Sequence, residues 1–269
     1  GTTIQSANDA AITLAEAIGN GSIDEFVKQM NEEAKRLGMK HTHFNNPTGI
    51  SSNGHVSTVG DLAILAAALI NDYPKYYPLF ANKSFKYNNI EQPNRNLLLY
   101  RDSSIDGLKT GYSEGAGYHL AASSKRNNRR IVSILAGAES TEARASESSK
   151  LLNWSLQAFD TPKLYNGGEV ISQVKVYKGS TKAVDIGFLD DVYITIPHDT
   201  GKNVKPILET LQPVLAPIEK GQVLGKLKVM KDGKIIAEKD VVALTGVEEG
   251  SWLRRMWDAI VLWFKGLFS

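Results

Sequence analysis

IDGLKTGYSEGAGYHLAASSKRNNRRIVSILAGA, residues 105–138, is the stretch that decides the fold. Its first apolar run, residues 107–113, reads as a short strand. Two further runs, 117–124 and 129–138, are joined by the polar turn Lys125 to Asn128. Alternating hydrophobicity on both sides of an Asn-rich link is a hairpin signature. Outward from this hairpin the texture is helical. Residues 8–18, NDAAITLAEAI, form an Ala-rich helical pattern closed by Gly19 and Gly21. Ser22 with Glu25 makes a capping box for a second helix that ends at Gly38, with Ile23, Phe26, Val27, Met30, Ala34 and Leu37 as its buried stripe. A third helix starts at Ser57-Thr58 and ends before Pro74. It is apolar nearly all round and is expected at the centre of the core. SFKYN (84–88) and NLLLY (96–100) read as additional short strands, and residues 140–159 return to helical spacing. Helices before and after an antiparallel sheet make this an α+β domain.

Thr161-Pro162 and Asn166-Gly167-Gly168 read as a linker, and strand patterns dominate beyond it. Lys231-Asp232-Gly233-Lys234 joins two alternating runs as a hairpin turn, since Gly supplies a positive φ. The expected division is an α+β domain at 1–160, a small all-β domain at 161–250 and a terminal helix at 251–269. In that tail, Leu253, Met256, Trp257, Ile260, Trp263, Phe264 and Leu267 share one face at 100° per residue. Arg254, Arg255, Asp258 and Lys265 share the other, and Leu262 is the one misfit. The segment is too short and too charged to span a bilayer, which needs ~20 mostly apolar residues. Its aromatic content, Trp252, Trp257, Trp263 and Phe264 included, suits an amphipathic helix lying in a membrane interface with its cations toward anionic lipid. The alternative is a helix docked on the protein's own core.

Composition excludes several functions. The chain has 269 residues, 42% hydrophobic and 22% charged, which fits a folded soluble protein. Lys plus Arg number 31 against 29 Asp plus Glu, giving a net charge of +2 and no basic stripe for nucleic acid. Cysteine is absent, so thiol nucleophiles and thiolate metal sites are ruled out. His41 and His43, two apart, would share one face of a strand; without a third ligand they are expected to be structural or surface residues, and no metal or cofactor is expected. Gly1 is followed by no charged, apolar leader, so the chain is expected to be a processed product or a piece of something longer.

Two short signatures carry the chemistry: Ser6-Ala7-Asn8 at a helix start and Lys109-Thr110-Gly111 in a strand-like run. Each alone has an ordinary reading, an N-cap serine and a turn with a surface lysine. Occurring in this order about a hundred residues apart, S-x-N and K-T-G form part of the motif set of serine acyl-transfer enzymes that react with penicillin. The segments 5–10 (QSANDA), 41–50 (HTHFNNPTGI), 94–96 (NRN), 106–111 (DGLKTG) and 116–118 (AGY) resemble those of the low-molecular-mass penicillin-binding proteins. The similarity is greatest to the D-alanyl-D-alanine carboxypeptidase group that includes penicillin-binding proteins 5 and 6, of the peptidase S11 type. It extends over the β-rich domain and the tail.

The resemblance implies a serine hydrolase that removes the terminal D-Ala from peptidoglycan stem peptides through an acyl-enzyme and is acylated by β-lactams. It implies a location on the periplasmic face of the bacterial cytoplasmic membrane, with the terminal helix on anionic lipid. Within it, Lys109 supplies positive potential for the substrate carboxylate, Thr110 a hydroxyl to the same group, and Gly111 a close approach for a peptide pairing with the strand edge. Ser6 relays protons to the leaving group and Asn8 holds the substrate amide. Arg95 is either a further cation on the carboxylate side or a surface ion-pair partner. Two positions depart from the group: Tyr112 where His is frequent, and Ala138 near where Arg is frequent; both bear on substrate-end selectivity. A larger departure is the nucleophile. The family's Ser and Lys lie in an S-x-x-K that precedes S-x-N, whereas the only S-x-x-K here is Ser172 to Lys175, in a strand pattern that points the two side chains apart. The chain by itself is therefore expected to be nearly inactive. A β-lactamase and a non-catalytic wall-binding module are the competing readings.

Overall fold

The computed structural model describes residues 1–126, 129–198 and 204–267, with side chains described as far as residue 264. The chain divides into two units, Gly1–Leu156 and Gln157–Ser269.

The first unit opens with a one-turn helix α1 (Thr2–Gln5), then α2 (Asn8–Ile18), α3 (Ile23–Arg36) and α4 (Val59–Asp72). Ser22 Oγ accepts the Glu25 amide at 3.2 Å and Thr58 Oγ1 the Asp61 amide at 3.1 Å, so two helix starts are fixed by side-chain caps. A 3₁₀ turn (Tyr77–Ala81) leads into the hairpin β1 (Ser84–Tyr87) and β2 (Ile90–Pro93), then α5 (Leu98–Arg101). The main sheet is β3 (Ile105–Ser113), β4 (Gly117–Arg126) and β5 (Arg129–Ala138), antiparallel in the order β3-β4-β5, followed by α6 (Thr141–Ala158). Asn127 and Asn128 of the expected turn lie outside the described residues, but Arg126 pairs with Arg129 across it.

Period-two alternation gives this sheet two faces, and both are covered. Leu120 and Ala122 pack with Leu98, Leu99, Ile105 and with Ala145 and Leu152 of α6; Ala121, Val132 and Ile134 pack with Ala66 of α4, Tyr77 and Leu108. Two sequence expectations are corrected here. NLLLY is not a strand: the buried Asn96 side chain accepts the Leu98 amide at 3.1 Å and starts α5. And α4 is not central, because it packs one side on the sheet, leaving Ile64 and Val59 exposed while only Asp61 and Ala66 are buried.

In the second unit, β6 (Phe159–Asp160), β7 (Lys163–Tyr165), β8 (Val170–Tyr177), β9 (Ala183–Gly187), β10 (Val192–Tyr193), β11 (Ile196–Pro197), β12 (Val204–Thr210), β13 (Val214–Leu215), β14 (Val223–Lys231) and β15 (Lys234–Ala243) precede α7 (Trp252–Leu267). A six-stranded sheet runs β12-β14-β15-β9-β8-β13. Asp232 and Gly233 both have positive φ, as a two-residue type I′ hairpin requires. The unit has its own core of Val174, Val176, Ile186, Leu224, Leu227, Val229 and Val241, among others.

Helix α7 sits on this unit with its polar side inward. Arg254 donates to the carbonyls of Ser180 (3.1 Å) and Thr181 (2.7 Å), and Asp258 accepts the Lys178 amide at 2.6 Å. Val261 and Leu262 are half-buried on the docked side, which accounts for the misfit Leu262. The side chains of Lys265 and Leu267 lie outside the described ones. The expectation that the helix cations face lipid is thereby corrected for Arg254, whose guanidinium is spent on backbone carbonyls. No described helix is long and apolar enough to cross a membrane.

Candidate active site

Ser6 ends α1 in the left-handed region, φ 56° and ψ 39°, a conformation that costs a residue bearing a Cβ about 1–2 kcal/mol. Two features hold it. Gln5 Nε2 donates to the Pro93 carbonyl of β2, and α2 begins two residues on with Ala7 as its cap. Ser6 is thus not an N-cap; its hydroxyl accepts a hydrogen bond from Lys109 Nζ. Lys109 lies on β3 and donates also to the Thr110 carbonyl. A non-glycine residue strained at a helix junction, with its hydroxyl bonded to a partly buried lysine 103 residues away, is what functional sites tend to look like.

The electrostatics are one-sided. Burial pushes Lys109 down to about 8, and the charges of Arg95 and Arg144 act in the same direction. Arg144, on α6, is 4% exposed and meets no carboxylate among the described residues: its Nη1 donates to the carbonyls of Gly111 and His119, both at 3.3 Å, and its Nη2 to the Arg95 carbonyl at 3.1 Å. Burial and Arg95 hold the Arg144 guanidinium below its ordinary value. Arg95 is exposed, and its backbone is fixed by the flanking buried Asn94 and Asn96, whose side chains bond the Asn82 and Gly107 carbonyls. Three cations with no compensating carboxylate among the described residues make a site for an anion.

β3 is an edge strand in the described sheet, so no strand pairs with its outer edge there. Gly111 lies two residues from Lys109, on the same face. A Cβ there would meet nothing closer than the His119 ring at 3.6 Å, so the fold does not require glycine at this position, and the space it leaves is on the Lys109 side. Thr110 is buried, opposite Leu120. Asn8 is exposed at the start of α2, and its side chain makes no hydrogen bond among the described residues.

Ser172 and Lys175 both fall on β8, three residues apart and so on opposite faces; Lys175 lies over the Tyr177 ring at 4.8 Å. His43 forms an isolated bridge with Val56, and the His41 amide bonds Asp61, giving both histidines structural settings. Among the described residues no three potential ligands cluster for a metal. Of the tail aromatics, Trp252, Trp257, Trp263 and Phe264 are all more than half exposed.

Comparison with known proteins decides the family: residues 1–140 match the profile of the D-alanyl-D-alanine carboxypeptidase peptidases and residues 159–249 that of the penicillin-binding protein 5 C-terminal domain. The chain belongs to the D-alanyl-D-alanine carboxypeptidase family. D-alanyl-D-alanine carboxypeptidase DacA of Haemophilus influenzae is 39% identical over all of this chain and 69% of its own length, and DacC of Escherichia coli is 38% identical over all of this chain and 68% of its own. The crystal structure of penicillin-binding protein 5 from H. influenzae superposes with a TM-score of 0.81 at 38% identity, covering 93% of this chain and 73% of that one. Penicillin-binding protein D2 of Listeria monocytogenes, solved with cefotaxime bound, matches at a TM-score of 0.52 and 33% identity over 56% of this chain and 62% of its own.

In this carboxypeptidase family member, sequence reading missed Arg144 and His119. Arg144 left one signal: it lies on the stripe Arg144, Ser148, Leu152 that α6 buries, a charge where the period calls for an apolar residue. It brings a guanidinium from α6 to the carbonyls of Gly111 and His119.

Proposed function

We infer that this chain carries the carboxylate-binding and proton-relay half of a serine-type D-Ala-D-Ala carboxypeptidase acting on peptidoglycan stem peptides and acylated by β-lactams. The observation that supports the reading is the Lys109–Ser6 hydrogen bond, which brings the two motifs into contact. Because Lys109 Nζ donates to Ser6 Oγ, the Ser6 proton is directed elsewhere, toward the leaving amine of a bound peptide. Lys109, Arg95 and Arg144 attract the terminal carboxylate, Thr110 offers it a hydroxyl, and the peptide backbone lies along the open edge of β3 at Gly111. Asn8, exposed at the start of α2, holds the substrate amide.

The nucleophile is the family's S-x-x-K serine with its lysine base. Ser172 and Lys175 cannot serve, so residues 1–269 by themselves bind substrate and hydrolyse little. Residues 1–160 act as the peptidase domain and 161–250 as a β-rich support. Residues 251–269, with Trp252, Trp257, Trp263 and Phe264 outward, rest on anionic lipid at the periplasmic face of the cytoplasmic membrane. Fluorescent penicillin tests this. The chain alone is expected to stay unlabelled, and the chain preceded by the S-x-x-K segment of the H. influenzae relative to be labelled covalently. No labelling of the joined protein contradicts the enzyme reading and favours a non-catalytic wall-binding module. Rapid turnover of a chromogenic cephalosporin favours a β-lactamase.

A further inference from the structure

His119 stands directly opposite Gly111 in the β3–β4 ladder, where the β4–β5 ladder is broken: the register shifts between Tyr118 and Leu120, so His119 is the residue at the irregularity. Its side chain replaces what the backbone has lost there. Nδ1 accepts the Gly137 amide of β5 at 3.2 Å, while Cδ2 and Cβ lie 3.6 and 3.7 Å from where a Gly111 side chain would start. The His119 carbonyl shares the Arg144 guanidinium with the Gly111 carbonyl. One imidazole on β4 therefore bonds β5 and lies beside Gly111 of β3, two residues from Lys109.

The geometry points to His119 as a positioning residue for the peptide-binding edge: by accepting the Gly137 amide it fixes Gly111, and it can do so only as the neutral imidazole. This rests on the carboxypeptidase reading for the identity of what binds the edge, and on the strand geometry alone for the positioning. An Nδ1 acceptor requires the Nε2–H tautomer; protonation turns Nδ1 into a donor and the bond to Gly137 is lost. Burial, then Arg144, lowers the His119 pKa, which keeps the acceptor form at neutral pH. Arg144 faces it from α6, and Lys109 lies two residues along β3 on the same face. Both are cations that oppose a third, and Gly137 and Ala138 of β5 carry no charge.

The test follows the Gly137 and Gly111 amides by NMR as pH falls from about 7.5 to about 5, across the range in which an imidazole takes up its proton. In the wild-type chain both are expected to move together with the His119 ring. In His119→Asn, whose side-chain oxygen is a permanent acceptor, neither moves. His119→Ala is expected to bind a peptide ending in D-Ala-D-Ala about threefold to tenfold more weakly at neutral pH, the loss of one positioning hydrogen bond, and His119→Asn to restore it. A Gly111 amide that ignores the His119 titration, or peptide binding unchanged in His119→Ala, overturns the positioning role while leaving the carboxypeptidase reading intact. Joint titration of the two amides in a chain that binds no peptide at any pH overturns the carboxypeptidase reading and leaves the positioning standing.

Discussion

Lys109 shows how a binding site trades against stability. Its ordinary value of 10.5 is lowered to about 8 by burial and by Arg95 and Arg144. For a base depressed in the folded state, the unfolded chain binds the extra proton between those two values. Stability therefore rises with pH from about 8 to about 10.5, and below about 8 the full cost of the buried charge is present. Lys109→Met is expected to raise the melting temperature at pH 7, with the advantage shrinking as pH climbs through that window, and to lose affinity for a peptide carboxylate. Thermal scans from pH 7 to about 10.5 check the sign; a variant less stable than wild type at pH 7 contradicts the uncompensated-cation account. Lys109 and Ser6 were legible because their motifs are short, ordered and chemically specific. Arg144 and His119 were not, since each acts through backbone carbonyls and amides that only the folded sheet brings within reach.

At the scale of elements, the hairpin β4–β5, the caps at Ser22 and Thr58 and the Asp232-Gly233 turn were legible, because period-two alternation and turn chemistry are local. NLLLY was not. A run of three leucines is equally apolar on a strand or a helix, and the decision fell to the Asn96 side chain capping the Leu98 amide, a bond whose register depends on Asn94 and Gly107. The apolar face of α7 was legible, but the docking of Arg254 and Asp258, which hold the helix on the turn at Lys178 to Thr181, was not. Binding of α7 to vesicles should then depend on apolar burial more than on charge. Replacing Trp257 and Trp263 by Ala is expected to cut partition into anionic vesicles by at least about tenfold, with a shallow salt dependence in the wild type. Partition that is unaffected by both substitutions, or abolished by salt alone, contradicts this.

At the scale of the molecule, a hydroxyl strained at the end of α1 and an ammonium on β3 lie 103 residues apart in sequence and share one hydrogen bond, with Arg95 and Arg144 supplying the surrounding charge. The sheet, covered on both faces, places Lys109, while the Gln5–Pro93 hydrogen bond and the start of α2 place Ser6. The functional claim reduces to these two walls lining the same ligand. The most direct measurement is an NMR titration of the chain with an acetylated peptide ending in D-Ala-D-Ala, following the Ser6 and Gly111 amides together. Both are expected to shift with a single dissociation constant, and both responses to vanish in Lys109→Ala. Shifts confined to one of the two, or persisting without Lys109, would contradict it.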